Sequence, residues 1–277
     1  LTKPWIMSLL LVTALGGMVL AAEGLPGWRT LVSVLAGGAL ASGGASALNH
    51  FLDQDVDQRM ERTRNRPVAS LRVPPAHALA FGLALNALAF AILWAGANLL
   101  AALLALGGSI FYILVYTGWL KRSTTQNIVI GGAAGAVPPL VGWAAVTGGL
   151  DLPALYLFAI IFYWTPPHFW ALALLIRQDY AAARIPMLPV VEGEEWTRWA
   201  ILLYTLILGA ITILLYGTTQ SLGLLYLGGA VLLGGVFVAY AVQLLRQANQ
   251  ALAARLYRYS LLYLALLFLV IMVDSSL

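Results

Sequence analysis

Three side chains that could bind a metal ion follow the second apolar stretch of the chain. Asn49, Asp53 and Asp57 recur at intervals of four residues, so on a helix they drift by about 40° and rise by about 6 Å per step. They therefore share one face, whereas Asp55, about 200° from Asp53, points elsewhere. Oxygen donors at one helix end suit Mg²⁺, which takes one or two carboxylates and binds substrate phosphates. Ionisable groups beside hydrocarbon are costly unless paired or bound to an ion, so this motif is the first candidate site.

Basic side chains lie close to the acidic motif in the sequence. Their guanidinium and ammonium groups match phosphate oxygens, and a metal with a cationic clamp indicates a diphosphate substrate. The candidate diphosphate-binding residues are Lys3, Arg62, Arg66, Lys121 and Arg122. Taken singly, basic residues at a membrane surface are more often topology determinants. For Asn49, Asp53 and Asp57 together a functional role is favoured, because three carboxylates within five residues repel one another unless a cation or arginines neutralise them.

The composition places these residues in a membrane protein. Hydrophobic residues make up 61% of 277 positions, charged residues 9%, and mean hydropathy is +0.88, far from a soluble chain with about a quarter of its residues charged. Apolar runs predict an all-α integral membrane fold with nine transmembrane helices. Given a core that needs about 20 helical residues, these runs fall at roughly 5–22, 29–48, 76–94, 98–116, 125–147, 153–175, 198–216, 222–245 and 256–273.

The basic residues predict the orientation. If loops alternate, fourteen of the fifteen Lys and Arg residues lie on the face that contains the N-terminus, and Arg29 alone lies on the other. The positive-inside rule makes this basic face cytoplasmic, and we expect a bacterial plasma membrane. Two of its loops, 49–75 and 176–197, are long enough to indicate function. Residues 1–277 are expected to form a single polytopic domain. The pI near 9.4 reflects the same bias and gives no reason to expect nucleic acid as a partner.

Two features that the sequence lacks exclude several kinds of site and a processed N-terminus. The chain has no cysteine, which excludes disulfides, thiolate metal sites, iron–sulfur clusters and covalent haem attachment. The first apolar run is followed by further spans rather than by a small-residue cleavage site, so we do not expect a removable signal peptide.

A second group of reactive side chains surrounds the loop at 176–197. His168 lies among aromatic residues, and Asp179 and Tyr180 follow at the same predicted membrane surface. Pro166 and Pro167 are expected to bend or interrupt their helix. A lone histidine among aromatics is more often a hydrogen-bonded core residue than a ligand, so His168 on its own leaves both interpretations open. His50 and His77 are assigned no role.

Several motifs in order resemble one known family. They are Asn49 to Asp57, Arg-Thr-Arg-Asn-Arg-Pro at 62–67, Tyr-Thr-Gly-Trp-Leu-Lys-Arg at 116–122, the segment 127–139, and the block 164–191. Together they resemble the UbiA superfamily of intramembrane prenyltransferases, and within it the branch that farnesylates haem. The similarity covers residues 1–195, whereas the last three helices resemble the family only in hydropathy.

This resemblance implies a fold and an activity. It implies nine helices around a central cavity, with both acidic loops at its mouth. Farnesyl diphosphate and haem B would be the substrates, Mg²⁺ the cofactor, haem O the product, and a haem A synthase a possible partner.

The resemblance also implies residue roles. Asn49, Asp53 and Asp57 would hold Mg²⁺ and diphosphate, Lys121 and Arg122 would lie on the diphosphate-contacting loop, and Asp179 would belong to the second acidic motif. In that second motif position 183 is Ala, where many family members have a second Asp. The haem branch resembles this sequence in having Asp-Tyr, as at Asp179 and Tyr180, instead of two Asp residues. His168 and Tyr180 are the candidate haem contacts.

Other functions remain open at this stage. The same machinery could prenylate a quinone precursor or chlorophyllide. A multi-span transporter would explain the topology, but it should carry ionisable groups near the bilayer midplane, and almost none are predicted there. A CDP-alcohol phosphotransferase would also use an aspartate-rich helix end, but its DGxxAR signature is missing. The glycines at 131 and 135 are expected to be helix-packing contacts.

Overall fold

The computed structural model describes residues 1–277 and is helical, without β-strands. Nine helices are long and apolar enough to cross a membrane, which confirms the predicted number. They are numbered in chain order: α1 Pro4–Ala22, α2 Trp28–Leu52, α3 Pro75–Gly96, α4 Leu99–Ser123, α5 Asn127–Thr147, α6 Leu152–Leu175, α7 Glu194–Thr218, α8 Leu224–Gln247 and α9 Gln250–Asp274. Short helices at Gln54–Arg59, Arg177–Ala182 and Leu188–Val191 lie in the two long loops.

Several helices are longer than the apolar runs that predict them. α2 continues to Leu52 rather than ending near residue 48, α4 continues to Ser123 rather than 116, and α9 begins at Gln250 rather than 256. Hydropathy marks the part of a helix that lies in hydrocarbon, whereas backbone hydrogen bonding continues into the polar interface. Asn49 therefore lies on α2 and Asp53 caps that helix, while Asp57 lies on the short helix that follows.

The proline pair of α6 does not interrupt the helix. Pro166 and Pro167 lie within its unbroken course, so of the two expected effects, a bend or an interruption, the structure excludes the interruption. Proline removes a backbone donor, but membrane helices tolerate it where neighbouring helices and hydroxyl side chains satisfy the freed groups. α6 packs against α5, α7 and α9, so neighbouring helices surround the proline pair.

The helices form a closed arrangement. Consecutive helices pack against each other, α9 returns to pack against α1, and α1 also packs against α5. Glycines make the α1–α5 contact close. A Cβ on Gly17 would overlap the backbone of Pro139, and a Cβ on Gly142 would overlap the carbonyl of Ala14. Small residues of this kind let membrane helices approach backbone to backbone.

The two long loops pack together over the basic face. Their apolar side chains share a buried cluster with one residue each of α5 and α6. The loops contribute Val56, Met60, Tyr180, Ala183, Ile185 and Met187, and the helices contribute Ile128 and Ala173. The backbone N–H of Arg62 also donates to Asp179 at 3.4 Å. This cap joins the end of α2 to the end of α6 and fixes where the first acidic motif can lie.

We expect Gly142→Ala to destabilise the protein by about 1–3 kcal/mol, because the added Cβ would push α5 away from α1. The matched control is Gly135→Ala in the same helix, where a Cβ would meet nothing within 4 Å. The packing contact expected from the sequence is thus found at Gly131, beside Tyr116, and was wrong for Gly135. Thermal unfolding in detergent should show a lower melting temperature for the first variant only. Equal melting temperatures would contradict the close α1–α5 contact.

Candidate functional site

Asn49, Asp53 and Asp57 lie on one helical face, as predicted. The backbone N–H of Asp53 donates to Asn49 at 2.9 Å and that of Asp57 donates to Asp53 at 2.8 Å, so the i to i+4 pattern continues from α2 into the short helix after it. All three are buried, with 3%, 0% and 1% of their surface exposed. The Asn49 amide donates to Asp53 at 2.7 Å. Two carboxylates and one amide thus form a compact buried group.

Each member of this group contacts a cation from elsewhere in the chain. The Lys121 ammonium lies 2.5 Å from Asp53, one Arg66 nitrogen lies 2.8 and 2.9 Å from the two Asp57 oxygens, and Lys3 donates to the Asn49 carbonyl at 3.0 Å. Buried carboxylates need such partners, because an uncompensated buried charge is strongly destabilising. Three of the five predicted diphosphate-binding residues therefore converge on the acidic motif.

The other two predicted clamp residues are placed differently. Arg122 forms two hydrogen bonds with Asp55, at 2.8 and 3.0 Å, and approaches Asp53 only to 3.8 Å. Both partners are exposed, and Asp55 points away from the buried face as expected. The Arg62 side chain is exposed and has no ion pair; it is its backbone that contacts Asp179.

A π-helical stretch of α4 supplies the opposite wall. Residues Phe111–Leu120 are π-helical, and the N–H of Lys121 donates to the carbonyl of Tyr116, five residues earlier. This wide winding is rare and is frequent at functional sites. It places Thr117 against the Asn49 amide at 3.2 Å and Lys121 against Asp53. Sequence reasoning missed this stretch.

The donor set fits a hard divalent cation. Asp53 Oδ1 is buried without a hydrogen-bond partner, which leaves one anionic oxygen available inside the site. Carboxylate and amide oxygens are the ligands that Mg²⁺ takes in proteins, with water and substrate phosphates completing its shell. No three His, Cys, Asp or Glu side chains converge in the structure, so the residues here suit a cation shared with a substrate rather than one held in an all-protein cage.

Three groups outside the membrane-spanning segments have shifted pKa values. Burial lowers the pKa of Lys3 to about 7, and the positive charge of Arg66 adds to this effect. The hydrogen bond from Arg122 lowers the pKa of Asp55, and burial raises the pKa of Tyr180. At neutral pH Asp55 is therefore ionised, Tyr180 keeps its phenolic proton, and Lys3 is near its titration midpoint.

Two further polar residues of α2 face the same side as the acidic motif. Measured from Asn49, Ser46 lies at about 60° and His50 at about 100°, while Asp53 and Asp57 lie at about 40° and 80°. The Ser46 hydroxyl and both His50 ring nitrogens are buried without a partner. The helical spacing could have identified both residues from the sequence, but His50 was assigned no role. His77, the other unassigned histidine, is exposed.

His168 lies in an aromatic cluster between α6 and α9. Its ring stacks on Trp164 and Tyr257, with centroids 4.3 and 4.8 Å apart, and its Nδ1 lies 2.7 Å from the Ser260 hydroxyl. That hydroxyl donates its one proton to the carbonyl of Tyr257, so Nδ1 must be the donor to Ser260. The Nε2 atom of a neutral His168 ring therefore carries a free lone pair.

Asp179 and Tyr180 of the second acidic motif lie in different surroundings. Asp179 is half-buried and accepts from the Arg62 backbone, whereas Tyr180 is buried in the cap between the two loops. The structure places Asp179 beside the first loop but records no contact between it and the carboxylates of that loop. In the structure Tyr180 is a packing residue.

Comparisons with known proteins agree with one another. The family model described as "UbiA prenyltransferase family" matches residues 10–269. The chain is 54% identical over 278 residues to "Protoheme IX farnesyltransferase" from Thermus thermophilus, covering all of this chain and 45% of the relative. It is 52% identical over 276 residues to the protein of that name from Picosynechococcus, covering 99% and 87%. This chain thus spans about half the length of some curated relatives and most of others.

A solved structure shares the fold. The UbiA homologue from Archaeoglobus fulgidus, bound to DMAPP and Mg²⁺, superposes with a TM-score of 0.69 at 15% identity, covering 98% of this chain and 97% of that one. The family match reaches residue 269, so the expectation that the last three helices match in hydropathy alone was wrong. The last three helices lack polar motifs, so a comparison based on short motifs could not detect their similarity to the family.

We expect Lys121→Gln to destabilise the protein by about 3–5 kcal/mol in Mg²⁺-free buffer, because it leaves the Asp53 carboxylate buried beside no close cation. Arg122→Gln is the adjacent control. It breaks an exposed pair that contributes about 0–1 kcal/mol. Thermal unfolding should separate the two variants, and Mg²⁺ should restore part of the loss in Lys121→Gln. Similar melting temperatures would show that Lys121 does not neutralise Asp53.

The two buried histidines should respond oppositely to replacement by leucine. His50→Leu removes two unpartnered nitrogens, and the relief of their desolvation should stabilise the protein by about 1–3 kcal/mol. His168→Leu removes a hydrogen bond and two ring stacks, and should destabilise it by a similar amount. Thermal unfolding checks both. A lower melting temperature for His50→Leu would mean that the imidazole has a bound partner.

Proposed function

Because this chain belongs to the UbiA prenyltransferase family, we propose that it is a haem farnesyltransferase. It transfers the farnesyl group of farnesyl diphosphate to a vinyl group of haem B, with addition of water, and releases haem O and diphosphate. The observation that carries the proposal is the buried group of Asn49, Asp53 and Asp57 facing Lys121 and Arg66. The choice of haem as acceptor is supported by relatives named "Protoheme IX farnesyltransferase" at 51–54% identity.

The acidic face and its cations bind the diphosphate end of the substrate. Asn49, Asp53 and Asp57 would hold Mg²⁺, which supplies charge neutralisation for the departing diphosphate. The A. fulgidus homologue bound to DMAPP and Mg²⁺ supports this cofactor. Lys121 and Arg66, now paired with the carboxylates, lie where they can turn to phosphate oxygens once a cation shares the negative charge.

The remaining basic residues and Asp179 would act less directly on the diphosphate than Lys121 and Arg66. Lys3 adds a hydrogen-bond donor, and in its protonated form a cation, at the Asn49 end of the site. Arg122 and Arg62 are exposed at the mouth and attract the diphosphate rather than bind it in the buried group. Asp179, which holds the Arg62 backbone, orders the first loop over the bound substrate.

The proposed reaction steps follow from where charge develops on the substrates. Breaking the bond between C1 of farnesyl and the diphosphate oxygen places negative charge on the leaving group, which preorganised cations stabilise. The allylic cation adds to the terminal vinyl carbon, the new cation beside the porphyrin ring takes hydroxide from water, and one proton is released. The rings of Tyr112 and Tyr116 stack on each other 5.5 Å apart on α4. Their faces can stabilise the allylic cation and exclude water until transfer is complete.

The haem contacts are proposed on the second group of residues. His168 presents a lone pair at Nε2 while Ser260 fixes its tautomer through Nδ1, the arrangement usual for a histidine that binds a metal. It would hold the iron of the haem substrate between α6 and α9. Tyr180 would contact the macrocycle from the cap.

The proposed location is the bacterial plasma membrane with both long loops in the cytoplasm, which the fourteen cations on the basic face support. The bilayer solvates the exposed apolar surface, and the product would leave for a membrane-bound oxidising enzyme such as haem A synthase.

The decisive experiment incubates the purified chain in liposomes with Mg²⁺, haem B and farnesyl diphosphate, and follows the haem by mass spectrometry. We expect a mass gain of one farnesyl group plus water. Asp53→Asn and Asp57→Asn should each lower the rate by about 100-fold or more, because each removes charge that balances the leaving group.

The matched control is Glu61→Gln, since Glu61 is exposed on the same loop and forms no ion pair. Its rate should equal that of the unmodified chain. Consumption of farnesyl diphosphate with unchanged haem would contradict the acceptor and point to a quinone precursor or chlorophyllide. No reaction in folded protein, verified by its thermal unfolding, would contradict the enzyme assignment.

A further inference from the structure

A crevice unrelated to the acidic motif opens between α7 and α8. It has a volume of about 530 Å³ and lies where α7 begins and α8 ends, at the basic face. Its lining residues are Glu195, Arg198, Trp199, Leu202, Val242, Leu245 and Arg246. Polar residues form one end of the crevice and apolar residues the other, so the crevice is amphipathic.

The two arginines that line the crevice have few acidic partners. Arg198 Nε is buried without a hydrogen-bond partner, and its nearest acidic contact is Glu194 at 3.8 Å. Glu194 is itself shared with Arg177 at 3.3 Å. Arg246 forms no ion pair in the structure. An unsatisfied buried guanidinium nitrogen is costly. If the Arg198 side chain turns toward the crevice, an anionic group there removes this penalty and accepts charge-assisted hydrogen bonds.

The charge and position of the crevice indicate which kind of ligand would bind there. Two guanidinium groups face one lining carboxylate, Glu195, which leaves a net positive charge. Trp196 and Trp199 are 60% and 52% exposed at the same helix end, as is typical of side chains at the membrane–water interface. The apolar wall of Leu202, Val242 and Leu245 continues from the arginines along the helices into the span.

We propose that this crevice binds an anionic phospholipid of the leaflet at the basic face. Arg198 and Arg246 hold the phosphate group through the guanidinium fork, which matches phosphate geometry. An acyl chain lies against Leu202, Val242 and Leu245. A free phosphate ion would use the arginines but leave the apolar wall unoccupied. The site is separate from the prenyl transfer site, and its existence does not depend on the proposed reaction.

The test measures lipid retention by the full chain. Protein reconstituted in phosphatidylcholine vesicles containing a minor fraction of phosphatidylglycerol is extracted gently and examined by native mass spectrometry. We expect one phosphatidylglycerol adduct per chain, selected over phosphatidylcholine. The double variant Arg198→Gln/Arg246→Gln should bind it about tenfold or more weakly, because it loses the charge-assisted contacts.

Two further variants make the result specific. Arg255→Gln/Arg258→Gln removes the same charge from exposed positions of α9 at the same face, and should retain the adduct. Leu202→Trp fills the apolar wall while keeping both arginines, and should lose the adduct; its thermal unfolding verifies that it is folded. Weaker retention by the α9 control equal to that of the crevice variant would overturn the proposal, because it would show a general charge effect.

Competition distinguishes the other anionic ligands. Inorganic phosphate should not displace the adduct, and neither should haem B, whose carboxylates could also pair with arginines. Displacement by inorganic phosphate would overturn the lipid assignment in favour of a phosphate site. Displacement by haem B would overturn it in favour of a haem site. Absence of any adduct from the unmodified chain in the phosphatidylglycerol vesicles would overturn the proposal outright.

Discussion

Two buried ion pairs at the end of α2 constrain the whole basic face of this protein. Asp53 and Asp57 are almost fully buried, and Lys121 and Arg66 lie within hydrogen-bonding distance of their carboxylates. Lys121 comes from the end of α4 and Arg66 from the loop that follows the acidic motif. The pairs therefore fix the position of α4 and the course of the first long loop. Such pairs add little net stability but make their geometry obligatory.

The same pairing makes the site dependent on its ligand. Lys3, Arg66 and Lys121 are committed to an amide or a carboxylate before the substrate arrives. Asp53 and Asp57 are in turn each committed to a cation. A substrate that brings its own divalent ion exchanges both sets of contacts together. Neither the metal nor the diphosphate alone would satisfy all of the buried groups, which favours their binding as one unit.

The sequence predicted the parts of the site that follow from local periodicity. The shared face of Asn49, Asp53 and Asp57 depends only on helical spacing, and the nine spans depend on hydropathy over long windows. The partners of these residues could not be predicted in the same way. Lys121 is 68 residues from Asp53, and whether it or Arg122 would pair with that carboxylate depends on the winding of α4.

Other differences have equally physical causes. Arg122 carries the same charge as Lys121 but binds the exposed Asp55, because consecutive residues of a helix point in different directions. His168 could be placed among aromatic residues from the sequence, but its tautomer follows from Ser260 on another helix. The crevice between α7 and α8 depends on two helix ends whose relative height no local pattern encodes.

The π-helical stretch of α4 has a consequence for the length of the chain. Its i to i+5 hydrogen bonding sets the angular position of Lys121 relative to the rest of α4, and one residue more or less on an α-helix changes direction by about 100°. A single deletion within Phe111–Leu120 would rotate the ammonium of Lys121 away from Asp53 while leaving hydropathy and span length almost unchanged. α4 must therefore keep its residue count between Leu99 and Lys121.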